Sequence, residues 1–150
     1  MALRYLLDTN ILSLLDPRRA GQRGHLTAWL AQHGSELTLA SITLTEIENC
    51  LLKLRRLGQT ARAAEIEDLA QAVRTDFADR ILPLDGTVAV AIAHLAERAR
   101  PTVIELPDLI VAATAQVHEL TVLTRNLRHM TPTGIAAIDP VDTAPGRSTP

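Results

Sequence analysis

Leu3-Arg4-Tyr5-Leu6-Leu7-Asp8-Thr9-Asn10 is the stretch on which the fold turns. A short, mostly apolar run stops abruptly at a polar triplet, the pattern of a buried strand that ends in a turn. Working outward, similar short runs recur at Leu37-Thr38-Leu39-Ala40, Ile81-Leu82-Pro83-Leu84, Thr121-Val122-Leu123 and Ile135-Ala136-Ala137-Ile138. Between them the apolar residues follow the helical period. Leu44, Ile47, Leu51 and Leu54 predict a helix over 43–57 that Gly58 stops, and Ile66, Leu69, Ala70, Val73 and Phe77 predict another over 61–77. Asp85-Gly86 turns the chain into a helix over 87–99, with shorter helices expected at 11–15 and 25–32. The segment 108–118 is apolar nearly all round and is expected as a buried helix. Strands that alternate with helices and are apolar on both sides specify a parallel sheet covered on both faces. The expected class is α/β, with three α/β/α layers around a central parallel sheet.

The composition fits one such domain. The chain has 150 residues, 47% of them hydrophobic and 21% charged, enough to bury a core without disulfides. That domain is expected over 1–140, followed by an extended tail over 141–150 in which Pro145, Gly146 and Pro150 break any periodicity. The 15 basic residues against 17 acidic ones exclude a strongly basic nucleic-acid glove, though not local basic patches. Trp29, Tyr5 and Phe77 are too few for a base-stacking platform. The one cysteine, Cys50, excludes internal disulfides and multi-cysteine zinc sites, and it is expected on the apolar face of its helix. No apolar run approaches a membrane span and the N-terminus lacks a signal-peptide pattern, so a cytoplasmic protein is expected.

The carboxylates fall at informative places. Asp8 ends the first strand, Glu46 lies early in the helix after the second, Asp108 opens the buried helix, and Thr124-Arg125-Asn126 follows the fourth strand. In open parallel sheets, ligands bind beyond the carboxyl ends of the strands, so these groups are expected on one edge. Three carboxylates gathered without a cation repel one another, and a divalent ion removes the conflict. Oxygen ligands without cysteine or paired histidine favour Mg²⁺ or Mn²⁺ over zinc, and an acidic, metal-filled cleft suits phosphodiester hydrolysis. Each residue also has a purely structural reading. Asp8 fits a helix cap, Thr43-Leu44-Thr45-Glu46 fits a capping box, Asp108 fits a cap or helix-dipole partner, and Asn126 fits a turn cap. The chain has no Walker loop, dinucleotide turn or nucleophile elbow, and its histidines show no metal-ligand spacing.

In their order, these segments resemble the PIN-domain endoribonucleases of the VapC toxin type. The resemblance rests on Leu6-Leu7-Asp8-Thr9-Asn10, Ile42-Thr43-Leu44-Thr45-Glu46-Ile47, Arg80-Ile81-Leu82-Pro83-Leu84-Asp85, Pro107-Asp108-Leu109-Ile110-Val111-Ala112-Ala113-Thr114-Ala115 and Thr124-Arg125-Asn126. It implies Mg²⁺-dependent RNA cleavage (Mn²⁺ substituting), a homodimer, and neutralisation by a cognate antitoxin of the VapB type. By position, Asp8, Glu46 and Asp108 match the family's acidic metal-site residues, while the fourth position, often Asp, is Asn126 here. Thr9 and Thr124 match polar supporting residues, and His129 stands near a position that is acidic in some relatives. Arg125 and Arg128 are expected to meet RNA phosphates. Two other readings remain open: a catalytically degenerate PIN module that binds a partner or RNA without cutting, and a small-molecule phosphatase.

Overall fold

The computed structural model describes residues 2–146. Five strands form one parallel sheet in the order β3-β2-β1-β4-β5: β1 (Tyr5–Leu7), β2 (Leu37–Ala40), β3 (Ile81–Leu82), β4 (Thr121–Leu123) and β5 (Ala137–Ile138). The register sets Leu6 beside Thr38 on one side and Val122 on the other. The chain therefore builds outward from β1 in one direction, then crosses over to add β4 and β5 on the opposite side.

Alternation along the strands assigns the layers. Leu7, Leu39 and Leu123 face one side, against Ile11 and Leu12 of α1 (Thr9–Leu12), Leu26 and Trp29 of α2 (Leu26–His33), Ile47 and Leu51 of α3 (Ser41–Arg56), and Ile66 and Val73 of α4 (Thr60–Asp76). Their neighbours Leu6, Ala40 and Val122 face the other, against Val88 and Leu95 of α5 (Gly86–Ala99), Val111 and Ala112 of α6 (Leu106–Val117), and Met130 of α7 (Leu127–Met130). Successive side chains on a strand point to opposite faces, so a two-sided apolar strand requires helices on both. Leu6 is fully buried at the centre of the second layer, and truncation there to alanine is expected to cost about 2–5 kcal/mol.

The expected class and the three layers stand, with shifts at the element ends. Both α3 and α6 begin two residues before the periodicity indicates, at Ser41 and Leu106. Pro107 is accommodated in the first turn of α6, where its missing N–H has no helical partner to lose. Strand β3 stops before Pro83, which cannot donate to the ladder. Asp85 caps α5 by accepting from Val88 N at 3.0 Å, as its place before Gly86 indicates. Of the expected tail, 147–150 lies outside the described residues. Within 141–146, Val141 packs on the first core layer and the Trp29 indole donates to the Thr143 carbonyl at 2.7 Å. Among the described residues no helix is long and apolar enough to cross a membrane.

Candidate active site

Strand order reverses between β1 and β4, and the carboxyl ends of these two strands carry Asp8 and Thr124. The ladder continues past both strands, with Asp8 N donating to Leu123 O at 3.0 Å, so the two residues are brought side by side. Asp8 and Thr124 are buried. The Thr124 hydroxyl receives the Asn10 amide at 3.1 Å and the Asn126 backbone N–H at 2.9 Å. With both lone pairs taken, its single proton goes to Asp8 Oδ2, 2.9 Å away. Asp8 also accepts from Thr9 N at 2.8 Å and from Asn10 Nδ2 at 3.3 Å. It therefore caps α1 and belongs to the polar cluster at once, so its two sequence readings are not exclusive.

Glu46 joins from α3. Because that helix starts at Ser41 with Ala40 as its cap residue, Thr43 lies inside the helix and the capping-box reading fails. The Glu46 carboxylate accepts instead from the Thr9 hydroxyl at 2.7 Å, and the Thr43 hydroxyl stands 3.3 Å from Thr9 Oγ1. Asp108 lies in the first turn of α6 but does not cap it; the cap position is Glu105. Its Oδ2 is 3.1 Å from Nδ1 of His129 on α7. Asn126 precedes α7 without capping it through its side chain.

Electrostatics tie the three carboxylates together. Burial raises the Asp8 pKa above its ordinary value, and the charge of Asp108 adds to the rise; hydrogen bonds from Thr124, Thr9 and Asn10 oppose it. Burial likewise raises Glu46, with repulsion from Asp8 and Asp108 adding to the effect and the Thr9 hydrogen bond opposing it. A divalent cation among them would relieve that repulsion. The donor chemistry of carboxylate, hydroxyl and amide oxygens suits a hard ion such as Mg²⁺ or Mn²⁺. As the side chains stand, no three His, Cys, Asp or Glu groups among the described residues close around one point. Each carboxylate is engaged by a neighbouring donor instead.

A groove of about 180 Å³ opens beside Thr9 and Glu46, walled by Leu12, Ile47, Ile66 and Leu69. Cys50 lines it as an exposed free thiol one helical turn beyond Glu46, and so is not on the buried face of α3. The far rim carries Asp16, whose carboxylate accepts from Arg62.

The two arginines expected at RNA differ in placement. Arg128 is exposed. The Arg125 guanidinium sits on Asp139, with Nη1 at 3.1 and 2.9 Å from its two oxygens and 3.2 Å from Asp142 Oδ1. Sequence reasoning missed Asn10, whose amide bridges Asp8 and Thr124 while its Oδ1 accepts from Arg125 N at 3.1 Å. Its signal was position: it sits two residues from Asp8 in the same strand-end turn. Asp139 was missed as well, since it falls between the last expected strand run and the expected tail and took a role from neither.

A parallel sheet whose switch point gathers carboxylates from three separate segments is the architecture of an acidic, hydrolase-type cleft. The PIN domain family matches residues 5–130, and the chain belongs to it. Over 138 residues it is 31% identical to the plasmid stability protein StbB of Pseudomonas syringae pv. tomato, covering 90% of this chain and 96% of that protein. It is 33% identical to the toxin FitB of Neisseria gonorrhoeae, over 138 residues and the same shares of the two chains. The crystal structure of FitAcB from Neisseria gonorrhoeae superposes with a TM-score of 0.77 at 32% identity, covering 91% of this chain and 97% of that one.

Proposed function

We propose that this PIN domain is a metal-dependent endoribonuclease acting as the toxin of a toxin–antitoxin pair. The observation that carries this reading is the strand-end cluster in which Asp8 bonds Thr9, Asn10 and Thr124 and Glu46 joins through the Thr9 hydroxyl, with the charge of Asp108 adding to the raised pKa of both carboxyls. Asp8 and Asp108, with Glu46, would hold Mg²⁺ or Mn²⁺, which when bound supplies an activated water and neutralises charge on the phosphate. The protein's own part is placement. Thr124 and Asn10 fix the Asp8 carboxylate, Thr9 fixes Glu46, and His129 fixes Asp108. Asn126 is suited to orient a water or the scissile phosphate, and exposed Arg128 to take a neighbouring RNA phosphate.

On this reading it works as a cytoplasmic homodimer held inactive by a cognate antitoxin of the VapB type, and the likeness to the toxin FitB supports the toxin role. The groove beside Glu46 suits an inhibiting segment: its apolar walls take aliphatic side chains and its acidic end takes an Arg or Lys. A second reading, a PIN module that binds without cutting, is favoured by the neutral Asn126 and by the His129 contact that engages Asp108. RNA cleavage with and without EDTA separates the two. Metal-dependent cleavage supports the nuclease. RNA binding without cleavage supports the degenerate module, and hydrolysis of small phosphate monoesters alone supports a phosphatase.

A further inference from the structure

The turn after β5 is built around Asp139, which is buried. Its Oδ1 accepts from Val141 N at 2.9 Å and from Asp142 N at 3.4 Å, and its carbonyl accepts from Thr143 N at 3.0 Å. The turn is docked on α2 and the loop before it at two further points. Trp29 donates to Thr143 O at 2.7 Å, and His25 N donates to Val141 O at 3.0 Å. Gly24, at φ +49°, lies so close to that carbonyl that a Cβ there would overlap it. Among the described residues, the side chain this well-anchored carboxylate holds is Arg125. Arg125 in turn donates its backbone N–H to Asn10, and Asn10 bonds both Asp8 and Thr124. A continuous run of contacts thus leads from the buried Trp29 to the Asp8 carboxylate.

We propose that Arg125 and Asp139 form a positioning pair, in which the 139–143 turn holds Arg125 and, through Asn10, sets the orientation of Asp8. Arg125 then serves cleavage by placement and not by contact with RNA. This rests on the nuclease reading for its functional consequence, although the structural link stands apart from it. Charge-assisted arginine–carboxylate hydrogen bonds are short and strong, and here Nη1 reaches both Asp139 oxygens, which suits the pair to fixing a loop. Displacement of about 1 Å at a reacting group can cost up to about 100-fold in rate.

The test compares Arg125→Ala, Asp139→Ala and the double variant in RNA cleavage, alongside amide hydrogen exchange of the same proteins. We expect each single variant to lower kcat by about 10- to 100-fold, with KM for RNA changed less than about twofold. The double variant should be no slower than the worse single one, because both act on one link. The amides of Arg125 and Asn126 should exchange at least about tenfold faster in Asp139→Ala, while those of Leu7 and Val122 stay protected. Arg125→Lys, which keeps the charge but replaces the planar guanidinium with an ammonium, should recover only part of kcat. If Asp139→Ala does not fold, Asp139→Asn keeps one acceptor for the turn and gives the same comparison. A raised KM in Arg125→Ala with a lowered KM in Asp139→Ala, where the guanidinium is freed, would overturn the pair in favour of an RNA contact. Unchanged exchange at Arg125 and Asn126 would overturn it whatever the activity. A parent protein that cuts no RNA, with the faster exchange still seen in Asp139→Ala, would leave the pair standing and remove the nuclease reading.

Discussion

Thr9 and Glu46 meet across 2.7 Å, although 37 positions separate them in the chain. The hydroxyl of the first residue of α1 donates to the carboxylate of α3, pulling it toward the end of β1 and away from its own helix terminus. Glu46 therefore contributes to the strand-end cluster and not to helix capping.

Thr9→Val keeps the shape and removes the donor. Loss of one hydrogen bond to a charged, half-buried acceptor is expected to cost about 1–3 kcal/mol of stability. It should also move the Glu46 pKa further up, because the one interaction that lowers it is gone. Thr9→Ser should retain both properties. Urea denaturation and carboxyl NMR titration of the three proteins check this.

The raised carboxyl groups give metal-free protein an unusual pH response. A carboxyl whose pKa is higher in the folded state than in the unfolded state binds more protons when folded, so stability falls as pH rises between the two values. For Asp8 and Glu46 that window begins at their ordinary values of 3.8 and 4.5 and extends upward. Asp16 and Glu36, lowered by hydrogen bonds from Arg62 and His33, lose their contribution only below those ordinary values. Stability from these four groups should therefore peak near pH 4–5 in EDTA and decline toward neutrality. Glu46→Gln should flatten the decline, and Mn²⁺ at pH 7 should reverse it in the parent. Chemical denaturation across pH reads all three.

Most of the fold was legible because two periodicities carry it. Leu6 and Leu7, Leu39 and Ala40, and Val122 and Leu123 each divide between the two core layers, which is what two-sided apolar strands require. Helix starts were less legible, since Ser41 precedes the apolar repeat of α3, and Leu106, ahead of Pro107, is exposed and takes no part in the buried face of α6. Position also brought Asp8, Glu46 and Asp108 to one edge, but it did not show what each carboxylate bonds. Asn10, His129 and Asp139 act through partners 114, 21 and 14 positions away, and no local pattern encodes such pairings.

Asn126→Asp should strengthen divalent-ion binding in the absence of RNA, because a carboxylate adds charge where the amide offers one neutral oxygen. The same variant should be less stable in EDTA, through added repulsion on the cluster. Calorimetric titration with Mn²⁺, paired with melting in EDTA, checks both signs. Two equally tight sites in the parent would show that Asn126 is not the limiting ligand.

Co-expression with a small cognate antitoxin should give a complex stable to size exclusion, with RNA cleavage suppressed. Leu69→Glu places a charge on the apolar wall of the groove and should weaken that complex at least about tenfold. A pair that co-elutes while cleavage is undiminished would place the partner elsewhere on the surface.

Whether Asp108 contributes its charge to an ion-dependent cleavage site is decided by one comparison. Parent and Asp108→Asn are incubated with RNA in Mg²⁺, in Mn²⁺ and in EDTA, with circular dichroism confirming that both are folded. The parent should cleave in either ion and not in EDTA. Asp108→Asn should not cleave, and its metal-free fold should be slightly more stable than the parent's because repulsion on Asp8 and Glu46 is eased. Cleavage that persists in Asp108→Asn, or in the parent under EDTA, would contradict that role for Asp108.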